Sequence, residues 1–149
     1  MRITQEADYA IRICCVLDEE GGKLGAAEIA ARAGVPYKFV FKILRKLIQA
    51  EIVRSFVGSN GGYQLNADGE RLTAVGIIES IDGPMCLSKC MDGEYTCTRN
   101  PVKAHCKMHI AFCTVSKIVR ERLNHITVRL LTDRSVSTAD VAELMSKFN

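Results

Sequence analysis

No stretch of this 149-residue chain approaches the 18 or so consecutive apolar residues that would span a bilayer, so a membrane helix is not expected. The start, Met1-Arg2-Ile3-Thr4-Gln5-Glu6, puts polar and acidic groups where the apolar core of a secretory signal would begin. The expected compartment is therefore the cytoplasm. Internal repeats and low-complexity tracts are also missing. No nucleophile–base pair, carboxylate dyad or phosphate loop is visible, which argues against an enzyme. Gly58-Ser59-Asn60-Gly61-Gly62 has the glycines of a phosphate loop but lacks the Gly-Lys-Ser/Thr ending and the helix that must follow. The net charge of +3 says little about partners by itself. Cysteine, by contrast, is abundant: seven in a chain of this size, which in a reducing compartment points to metal or redox chemistry before structural disulfides.

What is present reads as mostly helical. Over residues 3–20, Ala7, Ala10, Ile13, Cys14 and Leu17 recur at helical spacing behind Thr4 as a cap, and Gly21-Gly22 ends the run. An Ala-rich helix is expected over 25–33, broken by Gly34. A third begins at Val35-Pro36 and runs to about Ala50, with Val40, Ile43, Leu44 and Leu47 on one face. Short helix, glycine turn and second helix form a helix-turn-helix. Directly after it, residues 52–57 and 63–65 are strand-like and flank the turn at 58–62. The fold class is thus mostly α with a small β-hairpin, a winged helix-turn-helix. A linker helix follows over 71–81 and stops at Asp82-Gly83-Pro84. Residues 85–105 have no apolar periodicity. From about Lys107 to Leu131, Met108, Phe112, Val115, Val119, Arg122 and Ile126 form a nearly heptad stripe, with Ile118 and Leu123 beside it. A second copy of the chain is the economical partner for such a stripe, which makes this a dimerisation helix. The tail, 137–147, reads as a weak amphipathic helix capped by Ser137. The expected organisation is a winged-helix DNA-binding domain over 1–66, a linker helix over 67–84, a cysteine-rich sensor loop over 85–106, and the dimerisation helix and tail over 107–149.

Five basic residues, Lys38, Lys42, Arg45, Lys46 and Arg54, lie between Pro36 and Tyr63 against the single acid Glu51. Clustered positive charge on this unit is the footprint of a duplex binder. Tyr37, Lys38, Phe41, Lys42 and Arg45 fall opposite the apolar face, and the early ones sit where a helix-turn-helix reaches base edges. Lys42, Arg45, Lys46 and Arg54 suit phosphates. Ser59 and Asn60 occupy the wing turn, whose glycines let backbone approach a groove closely. Phe41 is compatible both with that outer face and with a hidden core position.

Cys86, Cys90, Cys97, Cys106 and Cys113 follow one another at C-x3-C, C-x6-C, C-x8-C and C-x6-C. Thiolates are the ligands of iron–sulfur clusters and of structural zinc. The tight C-x2-C pairs of zinc ribbons are missing, which favours a cluster, with zinc or a metal-free thiol–disulfide switch as alternatives. His109 lies one turn beyond Cys106 and four residues before Cys113. Cys14 and Cys15 read as core thiols, and Cys113 as packing rather than ligand.

The opening Met1-Arg2-Ile3-Thr4 with Asp8-Tyr9-Ala10-Ile11-Arg12, the run Ile43-Leu44-Arg45-Lys46-Leu47, and the wing Gly58-Ser59-Asn60-Gly61-Gly62-Tyr63-Gln64-Leu65 resemble the Rrf-two family of bacterial regulators over residues 1 to about 131. The resemblance implies a winged helix with a long dimerisation helix, and a homodimer on a near-palindromic operator. Cluster-binding members use three cysteines before the long helix, which here match Cys90, Cys97 and Cys106, with Cys86 as a substitute for Cys90. IscR-like members take a histidine three residues after the last cysteine as fourth ligand, matching His109. NsrR-like members take an aspartate from the first helix of the partner subunit, matching Asp8. The resemblance leaves open whether the cluster is 2Fe–2S or 4Fe–4S. Members often carry arginine just before the wing turn; Val57 stands there in this chain, so minor-groove reading by the wing is not implied.

Overall fold

A computed structural model describes residues 3–91, 93, 95–100 and 102–147. Met1 and Arg2 of the opening motif, and Asp92, Glu94 and Pro101 of the cysteine loop, lie outside the described residues. Helix α1 (Gln5–Glu20) is the central strut. Thr4 caps it by accepting the Ala7 amide at 3.2 Å, and Gly21 ends it in a left-handed conformation. Its inward residues Ala7, Ala10, Ile13, Cys14 and Leu17 are fully buried. Helices α2 (Ala26–Ala33) and α3 (Tyr37–Gln49) pack on it, separated by the Gly34 turn. Pro36 sits one residue before α3, as its cap, rather than in the first turn. Val40, Ile43, Leu44 and Leu47 of α3 are buried in the core shared with α1, each contributing about 1.5–3 kcal/mol by leaving water.

After α3 the chain reverses at Glu51, a non-glycine residue at φ 58°. Its carbonyl accepts the Asn66 side-chain amide at 2.8 Å, which holds the strained turn against the far end of the wing. Strands β1 (Val53–Phe56) and β2 (Gly62–Leu65) pair antiparallel with Val53 opposite Leu65 and Phe56 opposite Gly62. The sheet has an addition that periodicity does not reveal: Leu24 bridges Tyr63 through two backbone bonds of 2.9 and 2.8 Å, clamping the wing to the α1–α2 connection.

Helix α4 (Ala74–Asp82) starts later than the expected residue 71, because Thr73 is its cap and Leu72 is buried in extended chain before it. The expected long helix to Leu131 is divided. Helix α5 (Lys107–Asn124) ends early, and a short α6 (Val128–Thr132) begins behind Thr127, whose hydroxyl accepts the Leu130 amide at 3.1 Å. The break lets residues 126–128 pair with 72–74: Ala74 N–H donates to the Ile126 carbonyl at 2.7 Å and Val128 N–H to that of Leu72 at 2.8 Å. Val128 thereby enters the main core, and the buried carboxylate of Asp18 on α1 meets Arg129 at 3.1 Å and the Thr132 hydroxyl at 2.6 Å. Those directional bonds and that burial outweigh the few tenths of a kcal/mol per residue by which helix propensity would favour continuity. Helix α7 (Thr138–Ser146) is capped by Ser137 in a reciprocal box with Asp140, as the tail pattern predicts. No helix among the described residues is long and apolar enough to cross a membrane.

Candidate nucleic-acid interface and cysteine loop

Burying Val40, Ile43, Leu44 and Leu47 turns the opposite side of α3 outward. Lys38, Lys42 and Arg45 are exposed there. Tyr37 and Phe41 stand beside them edge to face, with ring centroids 5.2 Å apart and planes at 85°. Phe41 is 47% exposed, so its position is on the outer face and not in the core. Phe39 turns the other way and meets Tyr9 of α1 at 5.9 Å, which sets the rotation of α3 about its axis. Lys46 is half-buried: its Nζ contacts Glu6 at 2.9 Å and donates to the Ile81 carbonyl at 3.1 Å, and Lys42 also pairs with Glu6.

In the wing, Ser59 and Asn60 form the exposed tip, and Val57 beside them is fully exposed. A methyl group on Gly61 would lie 2.5 Å from the Phe56 carbonyl oxygen, and one on Gly62 2.7 Å from that of Leu24, so neither position admits a side chain without backbone movement. Arg54 on β1 donates to the Gln64 side chain at 3.3 Å, and its guanidinium lies 5.4 Å from the Phe56 ring centre. Lys23 covers that ring as well, at 4.5 Å. Lys23 is a basic neighbour of the wing that sequence reasoning missed. Its one signal was a position just before the residue that turned out to bridge β2.

The cysteine loop hangs between α4 and α5. Two ties set its ends: the Arg120 guanidinium grips the Glu79 carboxylate with two bonds of 2.8 Å, and the buried Ser116 hydroxyl takes the Leu87 amide at 3.3 Å while donating to the Met91 sulfur at 3.4 Å. The Arg120 pair holds the Glu79 carboxyl below the usual carboxylate range. Cys86 is exposed; Cys90 is buried with its sulfur 3.3 Å from the Ser88 hydroxyl. Backbone N–H groups of Asn100 and Arg99 lower the thiol pKa of Cys97. Cys106 is the cap residue of α5. His109 faces Cys113 across one helical turn, with Nε2 3.4 Å from the sulfur. Asp8 pairs with Arg12 at 2.7 Å on the outside of α1. All seven cysteines are unpaired, and Cys14 lies in the core as expected. Among the described residues no three Cys, His, Asp or Glu side chains converge as a metal-binding group. The candidate ligands Cys90, Cys97, Cys106 and His109 are therefore distributed along one loop and helix start rather than gathered. As a donor set, soft thiols with one depressed pKa and one at a helix start fit an iron–sulfur cluster.

A helix-turn-helix with a basic outer face and a clamped hairpin behind it defines a winged-helix DNA-binding protein. Residues 3–134 match the family described as "Rrf2: Iron-dependent Transcriptional regulator", and the chain belongs to this family of transcriptional regulators. Protein aau3 of Rhizobium meliloti (strain 1021) is 31% identical over 113 residues, covering 74% of this chain and 71% of that protein. The HTH-type transcriptional regulator IscR of Sodalis glossinidius is 26% identical over 149 residues, covering 99% of this chain and 86% of its own length. Among solved structures, CymR, the global cysteine regulator of B. subtilis, superposes with a TM-score of 0.69 at 22% identity over 89% of this chain and 96% of that one. That last likeness supports the fold, a winged helix with a small two-stranded sheet.

Proposed function

We propose that the chain is a homodimeric cytoplasmic regulator that binds a near-palindromic duplex through α3 and the wing and senses redox state, iron or nitric oxide through an iron–sulfur cluster on its cysteine loop. The observation that carries the reading is the position of that loop. It joins α4, which packs against α3, to α5, whose outer face is apolar. A ligand closing the loop would act on both the recognition helix and the helix that sets the spacing of two copies. Cys90, Cys97 and Cys106 would hold the cluster, with Cys86 in reserve for Cys90 and His109 or the partner subunit's Asp8 completing it. The cluster itself would supply electron transfer or reactivity toward oxidants. The protein's contribution is to present thiols, of which Cys97 is turned toward the thiolate by two backbone amides and Cys106 is placed at the start of α5.

Homodimerisation rests on α5. Met108, Phe112, Val115 and Ile118 repeat at three- and four-residue steps and are 58, 40, 47 and 49% exposed, a stripe too apolar to be left to solvent. On the duplex, Arg45 and Arg54 would reach phosphates, as would Lys42 once released from Glu6. Tyr37, Lys38 and Phe41 would reach base edges, and Ser59 and Asn60 the backbone beside the wing; Lys46, tied inward, would contribute least directly. Lys38→Ala and Arg45→Ala are each expected to weaken duplex binding, and Arg45→Ala to reduce the magnitude of its salt slope by about 0.9. The proposed boundaries, 1–66, 67–84, 85–106 and 107–149, follow these roles.

The deciding experiment is an absorption spectrum with iron and sulfide analysis on anaerobically purified protein. Broad visible absorption with matching iron and sulfide supports the cluster. Colourless protein that takes up no cluster on reconstitution removes it. A second reading, a metal-free thiol switch, is favoured by the depressed Cys97 thiol and the exposed Cys86. Zinc held by the same thiols would be colourless but would appear in metal analysis.

A further inference from the structure

One carboxylate reaches into the basic face of α3. Glu6, in the first turn of α1, gives one oxygen to Lys42 Nζ and the other to Lys46 Nζ, the latter at 2.9 Å. Lys42 and Lys46 are four residues apart, so they share a face and a single carboxylate spans both. The two lysines are not equivalent. Lys46 has a 33% exposed side chain and a second acceptor, the Ile81 carbonyl at 3.1 Å, near the end of α4 where helix carbonyls run out of partners. Lys42 has a 58% exposed side chain and extends past Glu6 into solvent. The turn that carries Glu6 is tied to α4, because the Thr4 hydroxyl, two residues before it, donates to Asp82 at 2.6 Å. The start of α1, the middle of α3 and the end of α4 are thus joined around this carboxylate.

We propose that Glu6 is a positioning residue that holds Lys42 away from DNA phosphate and so sets both the affinity and the salt dependence of duplex binding. The proposal rests on the reading of α3 as the recognition helix. While Glu6 holds Lys42, that lysine neutralises no phosphate and releases no condensed cation from the DNA. Lys42 therefore adds nothing to the salt slope of the wild-type chain. Removing the charge at residue 6 frees Lys42 to reach the duplex. The Lys42 contact then counts as an ordinary phosphate neutralisation, worth about 0.9 in the slope of log K against log salt. It also no longer requires breaking an exposed ion pair, whose modest strength corresponds to about a two- to five-fold gain in affinity. Lys46 keeps the Ile81 carbonyl and stays in place.

The test is binding of the full chain to a short duplex of arbitrary sequence, titrated across a range of potassium chloride. Glu6→Gln is expected to bind about two- to five-fold tighter at low salt with a slope steeper by about 0.9. In a Lys42→Met background, Glu6→Gln is expected to change neither quantity. Lys42→Met alone leaves the slope at the wild-type value, whereas loss of a lysine with no internal partner would make it shallower by about 0.9. Lys38→Ala and Arg45→Ala serve as controls for the helix itself. If they leave binding unchanged, the recognition-helix reading fails. If they weaken it while Glu6→Gln matches wild type in affinity and slope, the Glu6 proposal is overturned. Should Glu6→Gln fail to fold by circular dichroism, Lys42→Met decides alone: an unchanged slope supports the proposal, and a shallower one ends it.

Discussion

Thiol chemistry differs sharply from one cysteine to the next. Burial pushes the Cys14 thiol far up and raises Cys15 to about 11, while two backbone amides pull Cys97 down. Since the thiolate is the reactive form, brief treatment of reduced, metal-free protein with iodoacetamide at neutral pH is expected to label Cys97 before Cys15, with Cys14 untouched. Equal labelling of Cys97 and Cys15, read by peptide mass spectrometry, would contradict this. Carboxylates give the matching acid-side expectation. The Glu79 carboxyl is held below its ordinary value of 4.5 by Arg120, so its folded pKa is depressed relative to the unfolded chain. A depressed carboxyl contributes stability that is present above about pH 4.5 and lost as pH falls through the folded value. Glu79→Gln is therefore expected to lower the denaturation midpoint at pH 7 and to flatten its decline below pH 4.5. A wild-type-like pH profile in the variant would show that the pair adds no net stability. Residue-level detail of this kind was only partly legible. The core role of Cys14 and the shared face of His109 and Cys113 follow from helical spacing, but nothing in one sequence shows that Glu6 faces Lys42 and Lys46 across two helices.

Helices with strong periodicity and clear caps were the most legible elements. Thr4, Gly21, Gly34 and Ser137 mark their ends in the structure as in the sequence, because capping is a local interaction. The division at 125–127 was not read, since the apolar stripe continues through it. What ends α5 is pairing with residues 72–74, a contact between distant parts of the chain. The Leu24 bridge to the wing escaped for the same reason. Two substitutions probe these elements. Leu44→Ala, at a 1% exposed position of α3, is expected to cost about 2–5 kcal/mol in denaturant unfolding. Gly61→Ala would place its methyl group 2.5 Å from the Phe56 oxygen, which forces the wing turn open. It is expected to weaken duplex binding while the helical circular dichroism stays near wild type. Full binding by this variant would remove the wing from the interface.

At the scale of the molecule, Met108, Phe112, Val115 and Ile118 of α5 stay exposed among the described residues, and the proposed dimer would cover them with a second copy. Phe112→Glu, at a 40% exposed position, is expected to shift the sedimenting species from dimer to monomer and to reduce operator affinity through lost bivalency. A wild-type chain that sediments as a monomer would dismiss the dimer altogether. The winged-helix plan and the basic outer face of α3 were readable because both are written in short-range patterns. The geometry of the cysteine loop was not, because residues 85–105 carry neither periodicity nor the tight spacings that fix a metal site. One consequence of the break behind α5 concerns the order of assembly. Val128 and Arg129 return to seat against α1, so the core beneath the recognition helix is completed by residues more than a hundred positions downstream of its first strut. A fragment ending at residue 66 would leave that seam open, with Asp18 unpaired. During synthesis, the buried carboxylate finds its cation only after α6 has emerged from the ribosome. The α1–α6 seam of the regulator closes only when nearly all of the chain, cysteine loop included, has been made.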